Sequence, residues 1–235
     1  MRDFNQNGFS VHKGFYNKDI IQNIQENISK LKDYSLIQSR DIVFENDNLH
    51  YKYIQNINYY EPSCNKVIDE KLLKLVSELL DESAFFINME IHDKAPRVGT
   101  KTPAHQDNFY FRLSPPSALT VYIPLEKHDA ELNGGLCFVK GSHKNGTQDH
   151  HSADVKAFSS ELLMETTNSD IYKTKLEAGD IVVHHCNTIH FADSNNSGFH
   201  RRSLSLRFNG RSAQIDQGLH KKYIKNYKLN RNAEF

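Results

Sequence analysis

Apolar residues recur along this chain with two periods, and the change from one to the other divides it. Ile20, Ile21, Ile24, Ile28 and Leu31 fall on one side of a helix, with Asn17 placed to cap its start. A second stripe of Val67, Ile68, Leu72, Leu75, Val76 and Leu79 predicts a helix from about Asn65 to Leu80. Beyond Ser83 the period drops to two. Phe85, Ile87, Met89 and Ile91 alternate against Phe86, Asn88, Glu90 and His92, as a half-buried strand requires. Strands then dominate, at about 119–125, 134–139, 180–185 and 202–208, with turn residues such as Pro115-Pro116, Asn133-Gly134 and Gly179-Asp180 between them. Phe9-Ser10-Val11 predicts a short strand near the start. The polar and aromatic stretch from Asp41 to Tyr60 reads as loop and edge strand, or as the lining of a substrate mouth. Lys144 to Ser169 shows no clear period, at a length where loops often serve as lids.

Two helices followed by many short strands indicate a mainly β chain with helices packed along one face. Strand counting alone allows a sandwich or a barrel. No Pro/Gly/Ser-rich linker divides the 235 residues, so one domain is expected. It divides into a helical layer (about 1–82), a strand-built core (about 83–210) and a tail (211–235).

Composition narrows the function classes. A formal net charge of zero gives no broad attraction to nucleic acid or an anionic membrane. Cys64, Cys137 and Cys186 are too few and too scattered for a disulfide framework. The first residues carry no apolar signal core, and no stretch approaches the roughly 18 apolar residues of a membrane span. These features predict a soluble, cytoplasmic protein whose partner is a small molecule.

The candidate chemistry lies in Thr102-Pro103-Ala104-His105-Gln106-Asp107-Asn108. On an extended segment His105 and Asp107 project to the same side, with Gln106 and Asn108 turned away. A distant second histidine would complete a 2-His-1-carboxylate set, which leaves open positions on ferrous iron. His190 leads for that place, with His184 and His185 as rivals. The same three donors would also hold zinc in a binding protein or a hydrolase. Arg201 starts an alternation of Arg201, Ser203, Ser205 and Arg207 against Arg202, Leu204, Leu206 and Phe208. Its planar guanidinium suits a carboxylate.

The ordered series is longer than this pair. It runs through Leu119–Leu125, Asn133-Gly134-Gly135, Gly141-Ser142-His143, Gly179–His185, Ile189-His190 and Arg201–Arg207. It resembles the phytanoyl-CoA dioxygenase family of iron- and 2-oxoglutarate-dependent oxygenases, most specifically between Lys94 and Arg207. The resemblance implies a double-stranded β-helix, a cupin-like jelly roll. It implies Fe(II) on His105, Asp107 and His190, with 2-oxoglutarate and O2 as cosubstrates. Cosubstrate decarboxylation to succinate and CO2 would drive hydroxylation, or a related oxidation, of a small molecule from specialised, amino-acid or phosphonate metabolism. The spacing His190-x10-Arg201 matches the family's distal histidine and cosubstrate arginine, and favours His190 over its rivals. Lys94, Thr120, Tyr122 and Ser203 fall where the resemblance places cosubstrate-pocket residues, with His92 an alternative to Lys94. His143 is expected to be structural, and His184 and His185 to line the barrel or back a ligand. Two positions depart from the family's pattern: Lys140 replaces the proline of a Pro-Gly-Ser-His turn, and Ala192 stands where a hydroxyl often helps hold the cosubstrate. A cupin-like metal binder or a zinc hydrolase without 2-oxoglutarate turnover is the alternative, and Arg201 speaks against it, because hydrolysis needs no distal carboxylate clamp.

Overall fold

The structure, a computed structural model, describes residues 1–31, 33–156, 158–163 and 170–232. In chain order the first strands are β1 (Phe9–His12), β2 (Ile42–Phe44), β3 (Tyr51–Gln55), β4 (Ala84–Lys94), β5 (Thr102–His105) and β6 (Ala118–Pro124). They are followed by β7 (His128–Asp129), β8 (Leu136–Val139), β9 (His151–Val155), β10 (Phe158–Glu161), β11 (Ile171–Lys173) and β12 (Lys175–Leu176). The last three are β13 (Ile181–His185), β14 (His190–Ala192) and β15 (Arg201–Gly210). The helices are α1 (Arg2–Asn7), α2 (Lys18–Lys30), α3 (Ile57–Tyr60), α4 (Glu70–Leu80), α5 (Asp107–Phe111) and α6 (Gln217–Asn232).

A seven-stranded antiparallel sheet runs β1-β13-β6-β15-β4-β3-β2, and a four-stranded one runs β11-β8-β14-β5. The two sheets face each other as a jelly roll. Strand alternation gives the large sheet two different faces. Met89, Ile91, Val121, Ile123, Val183, Leu204 and Leu206 point outward and form one buried cluster with Ile21, Ile24 and Ile28 of α2 and Leu72 and Val76 of α4. Their alternates Glu90, His92, Thr120, Tyr122, His184, Ser205 and Arg207 point inward and line a cavity. The outward face supplies the hydrophobic burial that stabilises the domain. That frees the inward face for polar groups.

The first predicted helix forms as read: the Asn17 side chain accepts a hydrogen bond from the Ile20 N–H at 2.9 Å. The second divides. A 3-10 turn covers Pro62–Val67, and Asp69 then caps α4 by accepting from the Leu72 N–H at 2.8 Å. The alternation in β4 holds from Asn88 onward only. The ladder with β15 slips between Arg207 and Phe208, so that Phe86 joins the core and Phe85 and Ile87 are exposed. A bulge of one residue exchanges the faces on either side of it. The 41–60 stretch contains β2 and β3, which extend the large sheet to its edge.

The region read as a structureless loop contains the β9–β10 hairpin; its residues 164–169 lie outside the described residues. The predicted tail carries α6. Asn226 anchors that helix to the hairpin by donating to the His150 carbonyl at 2.9 Å and to Ser160 Oγ at 3.1 Å. Among the described residues no helix is long and apolar enough to cross a membrane.

Candidate active site

His105 ends β5 directly opposite His190 of β14 in the antiparallel ladder. The chain then leaves the strand. Gln106 is extended (φ −118°, ψ 130°), and Asp107 is the first residue of α5 rather than part of the predicted extended run. Gln106 fixes this corner. Its side-chain amide donates to the carbonyls of Gly146 at 2.8 Å and Asn187 at 2.6 Å, and its oxygen accepts from the Gln148 N–H at 2.7 Å. Asn108 is also fully buried, and donates to Thr147 Oγ1 at 2.7 Å and the Leu113 carbonyl at 3.1 Å. Both amides point away from the imidazoles, as the sequence predicts.

One nitrogen or oxygen from each of His105, Asp107 and His190 lies within 4.8 Å of the others. Asp107 Oδ1 is 3.7 Å from Nε2 of both histidines. Each ring is oriented from behind. His105 Nδ1 donates to the Pro103 carbonyl at 2.8 Å and His190 Nδ1 to the Thr188 carbonyl at 3.0 Å, leaving both Nε2 lone pairs for the centre. Burial lowers the pKa of His105 and pushes that of His190 far down, so both imidazoles are neutral. Burial alone would raise the Asp107 carboxyl. Once acid charges His190, its pull and the hydrogen bond from His184 outweigh burial and keep the carboxyl ionised to well below the usual carboxylate range. Two neutral imidazoles and one carboxylate in a dry corner fit a divalent metal of the ferrous kind.

The other Asp107 oxygen is committed. Oδ2 accepts from Thr120 Oγ1 at 2.6 Å and from His184 Nε2 at 3.0 Å. Thr120 therefore supports the carboxylate. His184 backs the same carboxylate, in line with the expectation that it or His185 would line the barrel or back a ligand; the ladder that pairs it with Thr120 selects it over His185.

Arg201 is 3% exposed and lines the same cavity, which has a volume of about 360 Å³. Its Nη1 donates to the Tyr122 hydroxyl at 2.5 Å. Tyr122 in turn donates to His128 Nδ1 at 2.8 Å, and His128 Nε2 donates to the Arg202 carbonyl at 2.9 Å. Burial lowers the pKa of His128 far below its ordinary value, which keeps Nδ1 free to accept. The Arg201 Nε has no partner among the described residues. A carboxylate entering the cavity meets a buried guanidinium with a donor to spare.

Other predicted positions separate. Ser203 is buried on the same face of β15 but outside the cavity lining. Lys94 stands beside Arg201 in the β4–β15 ladder, yet its ammonium turns away and donates to the carbonyls of Ala192 and Asp193, at 3.2 and 2.5 Å. It ties β4 to the end of β14, and His92, the alternative to Lys94, lines the cavity. Ala192 offers no hydroxyl, and packs beside Leu136 and Phe138. His143 lies tilted against His185, with ring centroids 5.7 Å apart, outside the cavity lining, and serves packing. Tyr223 of α6 and Phe158 of the hairpin complete the lining, and nothing in their local sequence signals it.

The family model for phytanoyl-CoA dioxygenase (PhyH) matches residues 4–203. A probable alpha-ketoglutarate-dependent hypophosphite dioxygenase from Stutzerimonas stutzeri is 23% identical over 88% of this chain and 76% of its own length. Phytanoyl-CoA dioxygenase 1 from Oryza sativa subsp. japonica is 24% identical over 88% of this chain and 86% of its own. The fold is shared with EctD from S. alaskensis, solved with 2-oxoglutarate and 5-hydroxyectoine, at a TM-score of 0.76 and 18% identity over 91% of this chain and 76% of that one. It is shared too with the non-heme alpha ketoglutarate dependent carbocyclase SnoK, at 0.73 and 19% over 94% and 88%. The match covers most of the chain, from Phe4 through the corner of His105, Asp107 and His190 to Arg201: the chain belongs to the phytanoyl-CoA dioxygenase family.

Proposed function

We propose that this chain, a non-haem iron- and 2-oxoglutarate-dependent dioxygenase, holds Fe(II) on His105, Asp107 and His190 and hydroxylates a small polar molecule. The observation that carries the reading is the convergence of two Nε2 atoms on Asp107 Oδ1 in a cavity that also holds Arg201. When bound, the iron supplies dioxygen activation coupled to decarboxylation of 2-oxoglutarate to succinate and CO2.

The protein's own groups do the rest. His105, Asp107 and His190 would hold the metal at the cavity wall, and the cavity would admit the cosubstrate and O2 beside it. Arg201 takes the distal carboxylate of 2-oxoglutarate, and Tyr122 with His128 fixes where that guanidinium points. Tyr110, Phe111 and Phe158 wall the cavity with aromatic carbon, which limits water around the reacting atoms.

The volume favours a compact substrate. About 360 Å³ must hold the cosubstrate as well, and it stands at the low end of ligand cavities, which span roughly 300–1,000 Å³. A hypophosphite dioxygenase among the relatives and a 5-hydroxyectoine complex among the structural neighbours are in keeping with a small polar substrate, while other relatives are named for phytanoyl-CoA, so the preference over a fatty acyl thioester rests on the cavity volume. Specialised, amino-acid or phosphonate metabolism supplies such molecules.

The test is anaerobic titration of the iron-loaded protein with 2-oxoglutarate. A visible charge-transfer band that needs both components, and that weakens in Arg201→Ala, supports the reading. Absence of the band together with absence of oxygen-dependent succinate release would reject it in favour of a metal-binding or hydrolytic role.

A further inference from the structure

Arg207 is a second guanidinium in the cavity, and the reaction as described leaves it unused. It stands beside Thr120 in the β15–β6 ladder, so one side chain separates it from Asp107. Its position is fixed on two sides. Nε donates to Asn209 Oδ1 at 3.0 Å, and the guanidinium carbon lies 3.7 Å from the centre of the Phe111 ring. Among the described residues it forms no ion pair, and its two Nη groups have no hydrogen-bond partner. Burial depresses its pKa to about 10, which leaves it fully charged at neutral pH. The guanidinium is half-buried, and the carboxylates of Asp107 and Glu90 act on it only from a distance, so a cation held in a fixed plane lacks a direct ionic partner. A ligand that completes it supplies that partner.

The charges of the loaded site point to the ligand's chemistry. On the reading above, Fe(II) is balanced by Asp107 and the chelating carboxylate, and Arg201 by the distal carboxylate. Arg207 and Glu90 are the charges left over in the cavity lining. Glu90 stands one position along, opposite Ser205, and its carboxylate meets His92 Nε2 at 3.2 Å and Asn88 at 3.4 Å. A second anionic group near Glu90 is repelled, and a donor or cationic group there is attracted.

We propose that Arg207 is the substrate-recognition residue, seating the carboxylate or phosphorus oxyanion of a compact substrate whose other end presents a hydrogen-bond donor or ammonium to Glu90. This rests on the dioxygenase reading for the identity of the bound cosubstrate. The bidentate Nη pair fixes the anion beside the metal ligands, so that oxidation falls on a carbon close to the charged group.

The probes are β-alanine and 2-aminoethylphosphonate, which carry the two kinds of anion on the same short chain. Each is titrated calorimetrically, under argon, into protein saturated with Fe(II) and 2-oxoglutarate. At least one binds saturably. Its affinity falls about tenfold or more in Arg207→Gln, is partly kept in Arg207→Lys, and is unchanged in the exposed control Arg211→Gln. Glu90→Gln weakens the probe but leaves propionate or ethylphosphonate, which lack the amine, unaffected. Failure of both probes to bind the wild-type protein overturns the proposal. So does equal binding by a folded Arg207→Gln. Should Arg207→Gln not fold, Arg207→Lys decides: undiminished binding by that variant overturns a bidentate seat. The charge-transfer band is recorded in the same samples. A normal band without Arg207-dependent binding rejects this inference alone, and a missing band with intact probe binding rejects the cosubstrate reading instead.

Discussion

Thr120 Oγ1 lies 2.6 Å from Asp107 Oδ2 and donates its proton there, which leaves Oδ1 as the carboxylate oxygen facing the two histidines. A carboxylate free to rotate would present either oxygen. Here the threonine and His184 choose for it. Thr120→Val keeps the shape and removes the hydroxyl, so iron affinity is expected to fall by about 10- to 100-fold. Competition with a chelating dye measures this. Unchanged affinity would show that His184 alone orients the carboxylate.

The proposed metal ligands allow a sharper outcome. His105→Ala and Asp107→Ala each remove a donor from a set of three, and both are expected to lose stoichiometric iron and all 2-oxoglutarate-dependent succinate release. Circular dichroism checks that the fold survives, since Gln106 and Asn108 hold the corner through bonds to other residues. A fully active Asp107→Ala enzyme refutes the assignment.

Arg201→Ala acts on the cosubstrate and not the metal. Iron content stays normal, while the 2-oxoglutarate concentration for half-maximal turnover rises by about tenfold or more, as loss of a charged hydrogen-bonding partner implies. Tyr122→Phe leaves the arginine in place but frees it from its 2.5 Å restraint. The same parameter is expected to rise by a smaller factor. Steady-state kinetics at saturating iron separates the two. A change in kcat alone in either variant would place the residue elsewhere in the reaction.

The sequence shows the core more readily than the cavity. Leu204 and Leu206 announce the buried face of β15 by alternation, and Arg201 and Arg207 must then share the other face. Period two carries that relation directly. It cannot show that Lys94 turns its ammonium to the Ala192 carbonyl, because strand ends no longer fix side-chain direction. Nor does it show the Gln106 corner, whose partners Gly146 and Asn187 are 40 and 81 residues away. Phe158 and Tyr223 reach the cavity through the packing of a hairpin and a helix, and contacts of that kind leave no local periodicity. The bulge that exposes Ile87 is invisible for the same reason: its cause is the partner strand.

Acid sensitivity follows from two histidines, His150 buried and His185 partly so, that accept hydrogen bonds from the backbone. His150 Nε2 accepts from the Gln106 N–H at 3.0 Å and its ring stacks on Phe109 with centroids 4.2 Å apart. His185 Nδ1 accepts from the Asn187 N–H at 3.0 Å. A proton on either nitrogen would face an N–H donor. Burial accordingly lowers both pKa values from 6.5 to about 4. Between those limits the unfolded chain binds more protons than the folded one, so stability is fully present above about pH 6.5 and is lost as pH falls toward 4. At pH 5 each contributes a loss of about 2 kcal/mol relative to neutral pH. Urea unfolding at pH 7 and pH 5 is expected to show that decline, and His150→Gln, whose side-chain oxygen accepts without titrating, should remove roughly half of these two residues' share. Because His150 bonds Gln106, the residue between His105 and Asp107, the corner that carries those two residues is expected to loosen in the same transition. Equal stability at the two pH values in wild type would show that neither ring is held neutral by the fold, and an unchanged decline in His150→Gln would show the same of His150.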